Sequence, residues 1–168
     1  MVKATETETR QFRTHIDIPA DKRAAIVENL NKSLAITFDL MSQTKQAHWN
    51  VRGSLFFQLH KLFDELAGSV EGHIDPLAER ITTLGGIANG TVRQAAARSS
   101  LPEFPTAGPN ELGYVTALID RYAHSATAVR QGIDDAAALG DADSADLLTA
   151  LSRDLDKALW FLEAHTRK

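Results

Sequence analysis

Apolar residues recur every three or four positions along most of the chain, with polar residues between them. This spacing places the apolar side chains on one face of an α-helix. It predicts four long helices, at about residues 21–50, 55–84 and 110–139 and from the turn at residues 140–143 to the end. A capping-box pair, Thr91 and Gln94, predicts a short helix that reaches about Arg98.

Turn-forming residues separate these segments. Ser54 has the type of a helix-capping residue, and Gly85 and Gly86 stand where a helix end favours a left-handed backbone. A proline-rich stretch precedes Asn110, and Gly140 with Asp141 separates the last two helices. The sequence therefore predicts an all-α four-helix bundle over residues 21–168, with a short extra helix in the connection between the second and third long helices. Residues 1–20 are predicted to form a flexible tail.

Composition limits the function of this bundle. A chain of 168 residues with 43% hydrophobic content suits one domain. It has no cysteine, so any metal must be held by imidazole and carboxylate groups. We expect a cytoplasmic protein with no membrane contact, because no long apolar run or secretion signal is evident. A net charge of −4 gives no overall attraction to nucleic acid.

Two pairs of possible metal ligands lie on the second long helix. His60 and Asp64 are four residues apart, as are Asp75 and Glu79, so each pair shares a helix face that points away from the leucine stripe. A solvated acidic face is the simpler interpretation of either pair alone. Asp64 and Asp75 are separated by about 16 Å along a straight helix, so one chain cannot join both pairs at one ion.

Two antiparallel copies of this helix can join the pairs. Both pairs are symmetric about the midpoint between residues 69 and 70, so one two-fold crossing aligns His60 and Asp64 with Asp75 and Glu79 of a second chain. Three small residues, Gly68, Ser69 and Gly72, surround that midpoint and permit close approach of two backbones. The predicted site is therefore intersubunit.

The first helix adds a third candidate ligand. A hairpin that turns near Ser54 places His48 beside His60, because both are six residues from the turn. The alternative is that His48 is a packed or hydrogen-bonded residue. Imidazole with carboxylate suits ferrous iron or manganese. The Glu-x-x-His pairs of a di-iron site inside one bundle do not occur in the sequence, which disfavours that arrangement.

The segments KQAHWNVRGSLFFQLHKLFDE, DPLAERITTLGG and RDLDKALWFLEAH resemble those of the Dps family, the DNA-binding proteins from starved cells, which are mini-ferritins. The resemblance implies a ferroxidase centre in which His48, His60 and Asp64 of one subunit meet Asp75 and Glu79 of its two-fold mate. It further implies a hollow dodecamer that oxidises ferrous iron with hydrogen peroxide, stores the ferric mineral and protects DNA. The iron site would be di-iron when loaded, and zinc or manganese would substitute.

Several single residues have more than one interpretation. Trp49 corresponds to a residue thought to relay radical electrons in the family, and core packing is the other interpretation. Glu65, Glu71 and Asp120 could lead iron inward or nucleate mineral, and solvation at a surface or interface explains them equally well. The other acidic residues and histidines are interpreted as structural or solvated: Asp134, Asp135, Asp141, Asp143, His15, His73, His124 and His165.

Two other functions are alternatives to iron oxidation. A DNA-compacting protein would use a basic tail, but Lys3, Arg10 and Arg13 are balanced by three acidic residues, so DNA contact is expected to be weak. A bundle that had lost its chemistry would show gaps in the ligand set, and none is present.

Overall fold

The computed structural model describes residues 11–105 and 110–167. Within these described residues, six helices follow one another: α1 (Ala20–Asn50), α2 (Phe56–Glu71), α3 (Ile74–Thr83), α4 (Val92–Arg98), α5 (Glu111–Leu139) and α6 (Ala142–Glu163). The described residues contain no strand. The long helices form the four rods of the bundle, which are α1, α2 together with α3, α5 and α6.

One apolar core holds the rods together. α1 packs against α2 and α5, and α5 packs against α6, so the chain consists of two helical hairpins placed side by side. Leucines from every rod are fully buried, including Leu30, Leu59, Leu118 and Leu148. They belong to the apolar stripes that the sequence pattern defines. The predicted all-α four-helix bundle is confirmed.

The short helix α4 lies against α1 in the connection between α3 and α5. Its capping box is present: Thr91 Oγ1 accepts from the Gln94 backbone N–H, and the Gln94 side chain accepts from the Thr91 backbone N–H. Asn31 of α1 is buried and accepts from Asn89 N at 2.8 Å while it donates to Ile87 O at 3.1 Å. These bonds fix the segment that leads into α4.

The predicted single helix over residues 55–84 is wrong in one respect, because it breaks between Glu71 and Ile74. Pro76 supplies the physical reason. Proline has no N–H to donate to the carbonyl four residues earlier, which is that of Gly72, and its ring crowds that carbonyl. In the third position of α3, where the N–H needs no partner within the helix, proline is tolerated.

The last helix ends slightly earlier than predicted. The last helix was predicted to run to the C-terminus, but α6 ends at Glu163 and residues 164–166 form a turn. Of the predicted tail, residues 1–10 lie outside the described part. Residues 11–19 contact the bundle: Phe12 N donates to Gly85 O at 2.7 Å, and Arg23 Nη1 donates to Ile18 O at 2.7 Å. Among the described helices, none combines the length and apolar character that a membrane span requires.

Candidate metal centre

The turn between α1 and α2 sets the register of the first ligands. Glu111, in the first turn of α5, accepts hydrogen bonds from Ser54 Oγ at 2.9 Å and Leu55 N at 3.3 Å. Ser54 was predicted to cap α2, but the N-cap is Leu55, and the distant Glu111 carboxylate bonds only the Leu55 backbone N–H. Gly53 has φ +124°, and a Cβ there would lie 1.6 Å from Glu111 Oε2. The turn therefore requires glycine at residue 53.

His48 and His60 lie side by side, as the hairpin register predicted. Their rings are stacked with centroids 3.9 Å apart and an angle of 20° between the planes. Each ring also contacts the other residue's backbone: His48 Nδ1 lies 2.7 Å from His60 O, and His60 Nδ1 lies 3.0 Å from His48 O. Because a carbonyl oxygen only accepts, both Nδ1 atoms must be donors.

This reciprocal bonding determines what the two imidazoles can do. With Nδ1 protonated in each neutral ring, the lone pair is on Nε2, where it can bind a metal ion. His48 Nε2 lies 3.8 Å from Asp64 Oδ1. Two ligands bound to one ion at about 2 Å each lie between about 3 and 4 Å apart, depending on their angle. The separation therefore suits two ligands of the same ion.

A cationic side chain pairs with Asp64 in the single chain. Lys45 Nζ donates to the same Asp64 Oδ1 at 2.6 Å. This hydrogen bond lowers the pKa of Asp64 below its usual value of 3.8, and the nearby charges of Lys45, His48 and Lys61 act in the same direction. Asp64 is consequently a carboxylate at neutral pH, which is the form that binds metal.

The remaining two candidate ligands lie on α3. Asp75 and Glu79 are both solvent-exposed, on the surface turned away from the buried Leu77 and Ile81. Within residues 11–105 and 110–167 of one chain, no three His, Asp or Glu side chains come close enough to hold a metal ion together. The structure thus brings together His48, His60 and Asp64 only as a partial set. The intersubunit site remains a prediction.

Exposed aromatic side chains lie next to members of this partial set in the sequence. Trp49 is 68% exposed, so the interpretation that its indole packs in the core of its own chain is wrong. Phe56 and Phe57 are also exposed, and the Phe56 ring lies 5.1 Å from that of His60. A large exposed apolar patch commonly marks an interaction surface. The partial ligand set therefore lies at a surface suited to a partner.

Sequence reasoning missed three residues that shape the centre. Lys45 lies one helical turn before His48 and Trp49 on the same helix. A contact between Lys45 and a candidate ligand on the neighbouring helix was therefore detectable in principle from the sequence. Pro76 was a visible helix-breaking signal. The role of Glu111 had no local signal, because it acts on Ser54 from another helix across 57 positions of sequence.

Comparisons with known proteins agree with this architecture. A ferritin-like domain model matches residues 27–168. The DNA protection during starvation protein of Agrobacterium fabrum is 41% identical over 159 residues, covering 95% of this chain and 98% of that protein. Among solved structures, DpsC from Streptomyces coelicolor has a TM-score of 0.91 and 30% identity, covering 98% of this chain and 96% of that one. An archaeal Dps homologue from Halobacterium salinarum has a TM-score of 0.89 and 27% identity, with 99% and 92% covered.

The helical bundle and the domain match define a protein of the ferritin-like class. Within that class the identity to the Agrobacterium relative over nearly the whole of both chains is decisive. The chain belongs to the Dps family.

Proposed function

We propose that the protein is a ferroxidase that oxidises ferrous iron at centres shared by two subunits. His48, His60 and Asp64 of one subunit and Asp75 and Glu79 of its two-fold mate hold the iron. The observation that carries this proposal is the reciprocal bonding of the two histidines, which directs both Nε2 lone pairs away from the backbone. Such orientation of ligands before metal arrives is typical of metal-binding sites.

The donor set fits iron as the substrate. Imidazole and carboxylate groups bind ferrous iron, and zinc or manganese would occupy the same ligands without being oxidised in this reaction. Two ferrous ions each give one electron to hydrogen peroxide, whose O–O bond breaks. With two protons the products are two water molecules and two ferric ions. The carboxylates offset the added positive charge, and the paired electron transfer avoids release of hydroxyl radical near DNA.

The incomplete ligand set of the described single chain supports a two-fold dimer. Gly68 is exposed on α2 with nothing near its Cβ position, so it permits close approach of a second α2. We propose that two-fold dimers build a hollow dodecamer in the bacterial cytoplasm and that ferric mineral collects inside it. The printed name of the Agrobacterium relative, a DNA protection protein, agrees with the benefit of removing iron and peroxide together.

Anaerobic protein loaded with ferrous iron and mixed with hydrogen peroxide tests this function. We expect a fast rise of ferric absorbance that is lost in the Asp75→Ala, Glu79→Ala variant. The matched control is Asp134→Ala, Asp135→Ala, which also removes two exposed carboxylates but from α5. Equal rates in all three proteins would show that α3 has no part in iron oxidation.

A hybrid dimer tests whether the centre is shared. One chain carries His60→Ala and Asp64→Ala, and the other carries Asp75→Ala and Glu79→Ala. Each homodimer should be inactive, whereas the hybrid should regain one intact centre because its ligands come from different chains. An inactive hybrid from well-folded chains would contradict a shared site.

DNA compaction is the second candidate function, favoured by the printed name of the Agrobacterium relative. The tail carries the possible contacts: Arg13 is exposed, whereas Lys3 and Arg10 lie outside the described residues. Twelve weak contacts would add through avidity. Replacing Lys3, Arg10 and Arg13 with Gln should abolish gel retardation of DNA and leave iron oxidation intact; retardation that persists would place the DNA contact elsewhere.

A further inference from the structure

Helix α3 packs against the bundle as a helix of its own and does not continue α2. The helical backbone is interrupted between Glu71 and Ile74, and the missing N–H of Pro76 removes a hydrogen bond across this interruption. Leu77 and Ile81 bury the apolar face of α3, which sets the side that points inward. Apolar packing sets this inward side but is not directional, so polar contacts can restrict the rotation and tilt of a helix of 10 residues further.

The first polar contact holds the C-terminal half of α3. Arg80 Nη2 donates to Asp141 Oδ1 at 2.7 Å, and Arg80 Nε donates to Ser144 Oγ at 3.0 Å. Asp141 is 2% exposed and also caps α6, since its carboxylate accepts from Ser144 N at 3.1 Å. A guanidinium bound to two rigid acceptors is fixed in direction as well as distance.

The second polar contact holds the N-terminus of α3. His73, the residue before the helix, lies with Nε2 2.8 Å from Asp154 Oδ2 on α6. The His73 side chain is only 15% exposed. Both contacts therefore join α3 to the same neighbouring helix, one at each end.

The predicted ligands of α3 lie between these two contacts and on the opposite face. His73 and Arg80 are seven residues apart, which returns to about the same side of a helix after two turns. Asp75 and Glu79 are rotated by about 200° and 240° from His73 at 100° per residue. Fixing the first face against α6 thus fixes the direction in which the two carboxylates project.

We propose that Arg80, together with His73, is a positioning residue for the two carboxylates that one subunit donates to its mate. This inference rests on the proposed function, because it assumes the shared centre. A buried ion pair is weak evidence for stability, so orientation is the better account of a clamp on an element that carries two ligands. Residues that orient metal ligands typically change metal affinity by about 10- to 100-fold.

The hybrid dimer separates positioning from general stability. The donor chain carries His60→Ala and Asp64→Ala and supplies Asp75 and Glu79, and the acceptor chain has the opposite defects. Arg80→Met is placed in one chain or the other, and Co2+ binding without oxidant is measured by visible absorbance. We expect affinity to fall about tenfold with Arg80→Met in the donor chain. The same change in the acceptor chain should have no effect.

Two further variants sharpen the test. Arg80→Lys in the donor chain keeps a cation for Asp141 and should recover part of the affinity. Arg130→Met is the matched control, because Arg130 of α5 also pairs with an aspartate of α6, Asp156, at 2.8 Å but does not touch α3. It should leave Co2+ binding unchanged.

The outcomes distinguish the two proposals. Equal losses with Arg80→Met in either chain, or no loss in the donor chain, would overturn the positioning role and leave the shared centre standing. An unmodified hybrid that binds no Co2+ would refute the shared centre, and the positioning role with it. In the full-length single variant, amide hydrogen exchange should accelerate in α3 while α5 is unaffected; unchanged exchange in α3 would also contradict the proposal.

Discussion

The contact between Lys45 and Asp64 places a protein cation at a predicted metal ligand. The ammonium lies 2.6 Å from the carboxylate oxygen nearest to His48 Nε2. Both groups are partly exposed, with 30% and 47% of their side chains accessible, so solvent screens the pair. An ion bound at the proposed centre would have to displace the ammonium, which also favours the ionised form of the carboxylate by lowering its pKa. In the proposed centre, Lys45 would therefore oppose metal binding at neutral pH without blocking it.

Replacing Lys45 with Met should raise the pKa of Asp64 toward its usual value and strengthen zinc binding at pH 7. We expect a gain of about two- to fivefold, the range for an exposed ion pair. Carboxyl NMR titration and calorimetry measure the two effects. Because the folded-state pKa is lowered, the pair stabilises the fold above the ordinary carboxyl range, and this contribution is lost as pH falls through the lowered pKa. Lys61→Met, which removes only a weaker nearby charge, is the control. Unchanged or weaker zinc binding in Lys45→Met would contradict competition.

At the scale of elements, local patterns predicted most of the fold. The capping box at Thr91 and the left-handed Gly85 and Gly140 are local features, and each is present in the structure. The hairpin register also followed from sequence distance, which is why the neighbours His48 and His60 were foreseen. The break before α3 was missed because the apolar stripe continues across it with the same spacing. The spacing of apolar residues indicates which face of a helix is buried, but it does not indicate where a backbone hydrogen bond is missing.

Pro76→Ala should restore the N–H that a continuous helix needs between α2 and α3. We expect the melting temperature to stay the same or rise, because proline is the poorer helix former. Zinc affinity should fall by about tenfold, since Asp75 and Glu79 would move with the straightened helix. Calorimetry and thermal unfolding measure the two effects. Pro19→Ala at the start of α1 is the matched control. If Pro76→Ala kept full zinc affinity, the break would not be needed for the site.

At the scale of the whole molecule, the described part of the single chain divides the candidate ligands between two places. Three candidate ligands lie on α1 and α2 near the exposed Trp49 and Phe56, and the other two lie on the exposed face of α3. The sequence predicts the pairing, and it stays a prediction, because the two pairs of candidate ligands are symmetric about one midpoint. It could not supply the contact of Glu111 with Ser54, which depends on how separate helices pack.

Gly68→Leu tests the proposed crossing of two α2 helices. In a lone chain this change should stabilise α2 by roughly 0.5–1 kcal/mol, because glycine is a poor helix former and nothing lies within 4 Å of its Cβ position. In the assembly the added side chain should hold the two backbones apart. We therefore expect smaller species by sedimentation, loss of iron oxidation, and no fall in the helix content of the separated chain. Ala137→Leu, an exposed helical position on α5, is the comparison variant. An intact, active Gly68→Leu assembly would show that the helices do not cross closely there, and the two-fold alignment of the ligand pairs would then need another axis.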